Sequence, residues 1–182
     1  SDIAIMTTGA ITTPAYITNT EADHLHILED SDAVGVIVST KRLAERLLPA
    51  AHRADVCKFV ISMEPIELAQ SFSFDLHQWD DVLAMGQVGH DNMVAMANSR
   101  NIDDTACIIY TSGTGGKPKG VMLSHKAILH NVEGATDALR EIGLDAEVFL
   151  SFLPLSHSYE HTGGQFFPIS IGAEIYYAEG VE

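Results

Sequence analysis

Apolar residues in this chain fall into short runs divided by polar stretches, and the runs alternate in character between strand and helix. Residues 34–38 are apolar, mostly valine and isoleucine, and of the length a buried strand needs. Residues 41–51 place Leu43, Leu47 and Leu48 on one side of a helix, and 58–63 form a second strand-like run. Strand, helix and strand at this spacing predict a parallel α/β sheet. Upstream, residues 3–16 are apolar and rich in threonine, and Gly9 and Pro14 divide them into what reads as short extended pieces. Thr20, with Asp23 three positions on, has the offset of a capping box and predicts a helix over 21–30.

The pattern from 76 to 100 is less regular and predicts connecting helices around 79–85 and 91–97. A buried strand at 105–110 leads into a glycine-rich stretch, followed by a short apolar piece at 121–123. Ser124 then caps the most regular helix in the chain. Its apolar positions Ile128, Val132, Ala135, Leu139 and Ile142 recur at helical spacing, and Gly143 stands where a helix stops. A strand at 148–153, a helix at 165–171 crossed by Pro168, and a strand at 173–178 complete the expected order. The fold class is α/β, a layered arrangement of mostly parallel strands flanked by helices.

Charge narrows the partners. A net charge of −15 argues against nucleic acid, whose phosphates require a basic face, and disfavours anionic membrane surfaces. Yet three of the five lysines, Lys117, Lys119 and Lys126, lie beside the glycine-rich stretch, as in a protein that holds a small anion there. Cys57 and Cys107 sit in apolar runs without metal-ligand spacing, which predicts buried thiols in a reducing compartment. No run approaches the ~20 apolar residues that span a bilayer. A chain with no transmembrane segment is expected, cytoplasmic and peripheral at the membrane at most.

The glycine-rich stretch reads Tyr110-Thr111-Ser112-Gly113-Thr114-Gly115-Gly116-Lys117-Pro118-Lys119-Gly120. Glycines allow close backbone approach to a ligand, and successive amides can converge on an anion. Thr111, Ser112 and Thr114 add hydroxyl donors, and Lys119 adds a full charge. The stretch is not a Walker A loop, because Pro118 follows Gly116-Lys117 where a serine or threonine is needed. It is not a Rossmann turn either, since the third glycine is out of place.

From Tyr110 to His125 the chain closely resembles the phosphate-binding signature of the acyl-adenylating superfamily, which includes acyl- and aryl-CoA ligases, luciferases and peptide-synthetase adenylation domains. One departure is evident: Gly115 stands where a second threonine is usual, which removes a hydroxyl. The resemblance implies ATP, Mg²⁺ and coenzyme A as cofactor and co-substrates, with a fatty acid as the acyl partner. It implies cofactor contacts from Thr111, Ser112, Gly113, Thr114, Gly115, Gly116, Lys117 and Lys119, with Lys117 the most solvent-facing of them. Lys119 stands among the catalytic residues because its charge would stabilise departing pyrophosphate.

A second element, Leu153-Pro154-Leu155-Ser156-His157-Ser158-Tyr159-Glu160-His161, resembles the long-chain fatty-acid branch of that superfamily. By the resemblance His157 is a catalytic residue that places the acyl carboxylate, and Gly163 and Gly164 leave room for the acyl chain. The family's adenine-binding element, ribose-binding aspartate, hinge and C-terminal catalytic lysine have no counterpart in this sequence. Residues 1–182 therefore read as part of the large N-terminal adenylating domain, lacking its start, its adenine-binding part and the C-terminal lid, and inactive by themselves.

Two other readings stand beside this one. His157-x-x-Glu160-His161 also has the spacing of the H-x-x-E-H zinc motif of a hydrolase, although no convincing third carboxylate follows. A non-catalytic nucleotide-binding module would use the same glycine-rich stretch. The remaining histidines invite no chemistry: His24 and His26, two apart on a helix, are expected at the surface.

Overall fold

The computed structural model describes residues 1–68, 71–86, 90–111, 116–141, 143–144 and 146–178. The chain begins with helix α1 (Asp2–Thr8), where extended pieces are expected from the sequence. The difference has a local cause. Thr7 and Thr8 donate their hydroxyls to the carbonyls of Ile3 and Ile5, which satisfies them within a helix, and Met6 is buried. Gly9 then ends the helix in the left-handed conformation at φ 84°. Only Thr12 retains strand character, as a parallel bridge to Cys107.

Helix α2 (Glu21–Asp30) starts at the capping box read from the sequence. The Thr20 side chain accepts from the Asp23 amide, and the Asp23 carboxylate accepts from the Thr20 backbone at 2.9 Å. Strand β1 (Gly35–Val38), helix α3 (Lys41–Arg53) and strand β2 (Phe59–Ser62) follow, with β1 and β2 parallel as expected. Strand β3 (Asp75–Gln78) completes a three-stranded parallel sheet in the order β1-β2-β3. The sequence gives no sign of β3, whose Asp-Leu-His-Gln composition has only one apolar residue. Leu28, Val38, Leu47, Leu48, Val60 and Phe74 form one core between α2, α3 and this sheet.

Helices α4 (Trp79–Met85) and α5 (His90–Asn98) connect to strand β4 (Thr105–Thr111). Strand β5 (Lys119–Ser124) pairs with β4 antiparallel, and helix α6 (His125–Leu139) leaves it directly, capped by Ser124. Ile128 and Val132 of its apolar stripe are buried, Ala135 and Leu139 are half-buried, and Ile142 lies outside the described residues. A second core gathers Met6, Ala106, Cys107, Ile109 and Ile128. The chain ends with parallel strands β6 (Val148–Ser151) and β7 (Glu174–Tyr177). Between them run the one-turn helix α7 (Ser158–Glu160), a π-helical segment (His161–Phe166) and α8 (Phe167–Ser170). The single helix expected at 165–171 is thus two pieces of different pitch. Cys57 and Cys107 are both buried and free, as expected. Among the described residues no helix is long and apolar enough to cross a membrane.

Candidate functional site

Strands β4 and β5 pair as a hairpin on either side of the glycine-rich stretch. Thr111 pairs with Lys119 and Tyr110 with Gly120, so the two feet of the stretch stand side by side. Ser112, Gly113, Thr114 and Gly115 lie outside the described residues. Thr111, Gly116, Lys117 and Lys119 are exposed, and a β-carbon placed on Gly116 would meet nothing within 4 Å. The ammonium groups of Lys117 and Lys119 are therefore accessible to an anion at the hairpin mouth. Lys126 is not part of this group, since its Nζ pairs with Asp103 at 3.2 Å at the foot of β4.

The hairpin is gripped from behind. Tyr110 is buried and donates its hydroxyl to Oδ2 of Asp30 at 2.7 Å. Burial, together with the hydrogen bond to Asp30 and its charge, holds the phenol far above its usual pKa, so the O–H stays a donor. His26 lies 2.8 Å from the Pro118 carbonyl through Nε2, which must donate because a carbonyl only accepts. The His26 ring also meets the Tyr110 ring edge-on, with centroids 6.0 Å apart. His26 is half-buried and engaged with the stretch, which corrects its expected place at the surface. His24 is half-buried too, and burial pushes its imidazole below the usual value. Neither His26 nor Asp30 could be found from the sequence, because their partners are 92 and 80 positions away.

A cavity of about 270 Å³ opens between α2 and the hairpin, bordered by Pro14, Tyr16, Asn19, Asp23, Tyr110 and Pro118. A larger hollow of about 540 Å³ beside Lys41, Glu45 and Ile66 contains no residue of the glycine-rich stretch.

The histidine-bearing element reaches the hairpin through α6, which packs on β5 and on the π-helical segment. His157 is the N-cap of α7, exposed, with its Nδ1 accepting from the Tyr159 amide at 3.2 Å. With Nδ1 occupied as an acceptor, the neutral ring carries its proton on Nε2 and presents that N–H outward. Glu160 and His161 point elsewhere. Ser151 donates to the buried Glu160 carboxylate at 2.6 Å, and the packing is so close that a β-carbon on Gly164 would collide with that carboxylate. His161, 1% exposed, donates from Nε2 to Oδ2 of Asp2 at 2.9 Å, and Gln165 donates to the same oxygen at 2.8 Å. Burial raises the Asp2 carboxyl, but the hydrogen bonds led by His161 outweigh it and leave the group below its usual value.

This arrangement disfavours the zinc reading. His161 and Glu160 are committed to Asp2 and Ser151, while His157 faces solvent, so the three do not converge on one ion. Among the described residues no group of three metal-ligating side chains is found.

Known proteins resemble the chain along its whole length. A family model described as AMP-binding enzyme matches residues 1–182. The chain is 28% identical over 187 residues to the chloroplastic long-chain-fatty-acid–[acyl-carrier-protein] ligase AEE15 of Arabidopsis thaliana, covering 97% of this chain and 25% of that protein. It is 30% identical over 162 residues to long chain acyl-CoA synthetase 4 of the same plant, covering 85% of this chain and 24% of that one. Among solved structures it superposes on a red-emitting luciferase from Phrixothrix hirtus with a TM-score of 0.76 at 20% identity, over 99% of this chain and 34% of that chain. ATP-bound MatB from Rhodopseudomonas palustris superposes with a TM-score of 0.63 at 20% identity, over 96% of this chain and 31% of that chain. These superpositions establish the α/β fold. The chain spans about a quarter of the length of the curated relatives it matches. With residues 1–182 matched along their whole length, this chain belongs to the AMP-binding enzyme family.

Proposed function

We propose that the full-length protein activates a fatty acid, long-chain by preference, through acyl-AMP to acyl-CoA. The observation that carries the reading is the register of the β4–β5 hairpin, which sets the exposed Thr111 beside the exposed Lys119 at the two feet of the glycine-rich stretch. The preference for long-chain acids rests on what the relatives' names say they act on.

In this reading the acyl carboxylate oxygen attacks the α-phosphorus of ATP, and the bond to the leaving pyrophosphate breaks. A thiol sulfur then attacks the acyl carbon and displaces AMP. Thr111, Ser112, Gly113, Thr114, Gly115, Gly116, Lys117 and Lys119 hold the β- and γ-phosphates, with Lys117 at the solvent edge. Charge grows on pyrophosphate as it departs, and fixed donors accelerate the step most where that charge develops. His157 supplies its outward Nε2–H to one carboxylate oxygen and so sets the direction of attack. The described residues hold no cluster of metal ligands. Mg²⁺ carried with the triphosphate would neutralise charge on the phosphates that Thr111, Ser112, Thr114 and Lys119 hold.

The reading also assigns residues 1–182 to part of the large N-terminal domain, with adenine, ribose and lid contacts supplied by the remainder of the protein. By itself the chain does not turn over. Free, buried Cys57 and Cys107 support a reducing compartment, and we assign the protein to the cytoplasm, peripheral at the membrane at most.

AMP release by the full-length enzyme tests the proposal, with medium-chain, long-chain and aromatic acids offered in turn with coenzyme A. Long-chain acids should give the highest kcat/KM. Absence of AMP release with every acid would remove the ligase reading, and a preference for aromatic acids would replace the substrate.

A further inference from the structure

We infer that His26 and Asp30, one turn apart on α2, are positioning residues that clamp the two feet of the glycine-rich stretch and so prepare it for ATP. The inference rests on the proposed ligase reading and deepens it. Pro118, whose carbonyl accepts from His26 Nε2 at 2.8 Å, immediately precedes Lys119. Tyr110, whose hydroxyl reaches Asp30 at 2.7 Å, immediately precedes Thr111. Each clamp thus acts one residue away from a proposed phosphate ligand, and the two ligands are register partners across the hairpin.

The helix that makes both clamps is itself fixed. Its N-terminus is closed by the Thr20–Asp23 box, Arg53 of α3 pairs with Glu21 at 2.9 Å, and Leu28 lies in the core. Positions 26 and 30 share a face, since residues four apart on a helix are neighbours. The edge-on contact of the His26 and Tyr110 rings joins the two clamps into one unit. Gly120 allows this packing: a β-carbon there would stand 2.7 Å from Ile108 Cγ2 and 3.1 Å from Tyr110 Cζ.

The physical need for such clamps is entropic. A glycine-rich segment loses more conformational freedom on ordering than any other, and that loss weakens any ligand that must order it. Feet fixed in advance reduce the loss and raise affinity for the nucleotide, whereas fatty-acid affinity gains nothing from them.

The test is fatty-acid-dependent ATP–pyrophosphate exchange in the full-length protein, with MgATP and fatty acid varied separately and Tm recorded for each variant. His26→Ala and Tyr110→Phe should each raise KM for ATP about two- to tenfold, with KM for the fatty acid unchanged. His26→Gln keeps an N–H donor and Asp30→Asn keeps an oxygen acceptor, so both should stay near the wild-type value. A lowered Tm with an unchanged KM for ATP would reduce the pair to scaffold and overturn the inference, as would equal changes in KM for both substrates. Should His26→Ala not fold, Tyr110→Phe and the His26→Gln rescue carry the same comparison. If the wild type shows no exchange at all, the ligase reading fails and the inference falls with it; exchange with an indifferent KM removes the inference alone.

Discussion

Cys107 shows how one side chain can be read from the sequence and given its chemistry only by the fold. Its apolar run predicts a buried thiol, and the structure leaves it fully buried on β4 beside α1. Burial, and to a lesser degree the Asp2 charge, push its pKa up to about 11. A thiol raised in the folded state above its ordinary value of 9.0 favours folding below that value, and the benefit is lost as pH rises toward 11. In the native protein at neutral pH, Cys107 should resist iodoacetamide and react only after denaturant is added, as peptide mapping by mass spectrometry would record. Rapid native labelling would contradict its assigned place. At this scale Thr111 and Lys119 stand out in the sequence because chemistry and spacing are local, and the structure sets them in register. His26 and Asp30 do not stand out, because a hydrogen bond to a residue some 80 to 90 positions away leaves no trace in the pattern around either one.

Elements were legible where their boundaries carry their own chemistry. The Thr20 box and the Ser124 cap name the starts of α2 and α6 in the sequence, and both hold in the structure. Elements that depend on tertiary partners were not: α1 was read as extended from its threonines, and β3 is too polar to announce itself beside β2. The Thr20 box makes a quantitative prediction. Thr20→Ala should cost about 1 kcal/mol of stability near neutral pH, by analogy with other N-caps. The hydrogen bonds from the Thr20 side chain and backbone hold Asp23 below its usual carboxyl value. A depressed carboxyl stabilises the fold above the ordinary value of 3.8, and that stabilisation is lost as pH falls through the lower folded value. The gap between wild type and Thr20→Ala in denaturant titrations should therefore narrow in strong acid, down to the part due to the Asp23 amide bond, which does not titrate. A gap that stayed constant with pH would show that Asp23 takes no part in the cap.

Across the whole molecule, two cores support one hairpin. The parallel sheet with α2 and α3 forms the first, and α2 extends from it to hold the feet of the glycine-rich stretch. The second gathers side chains of α1, β4 and α6 and supports the β4–β5 hairpin. The histidine element is tied to the chain's start by the Asp2–His161 pair, which spans 159 positions, so His157 is carried on a fixed base. The general α/β class was readable from the alternation of strand and helix. Its division into a three-stranded and two two-stranded sheets was not, since pairing depends on contacts that no local pattern encodes. All of this bears on function only if the hairpin mouth receives a triphosphate. Calorimetric titration of MgATP into the full-length protein and its Lys119→Ala variant tests that most directly. The account predicts saturable binding to the wild type, weakened about 10- to 100-fold by the loss of one charge-assisted contact. Equal affinity in the two proteins, or no binding to either, would contradict it.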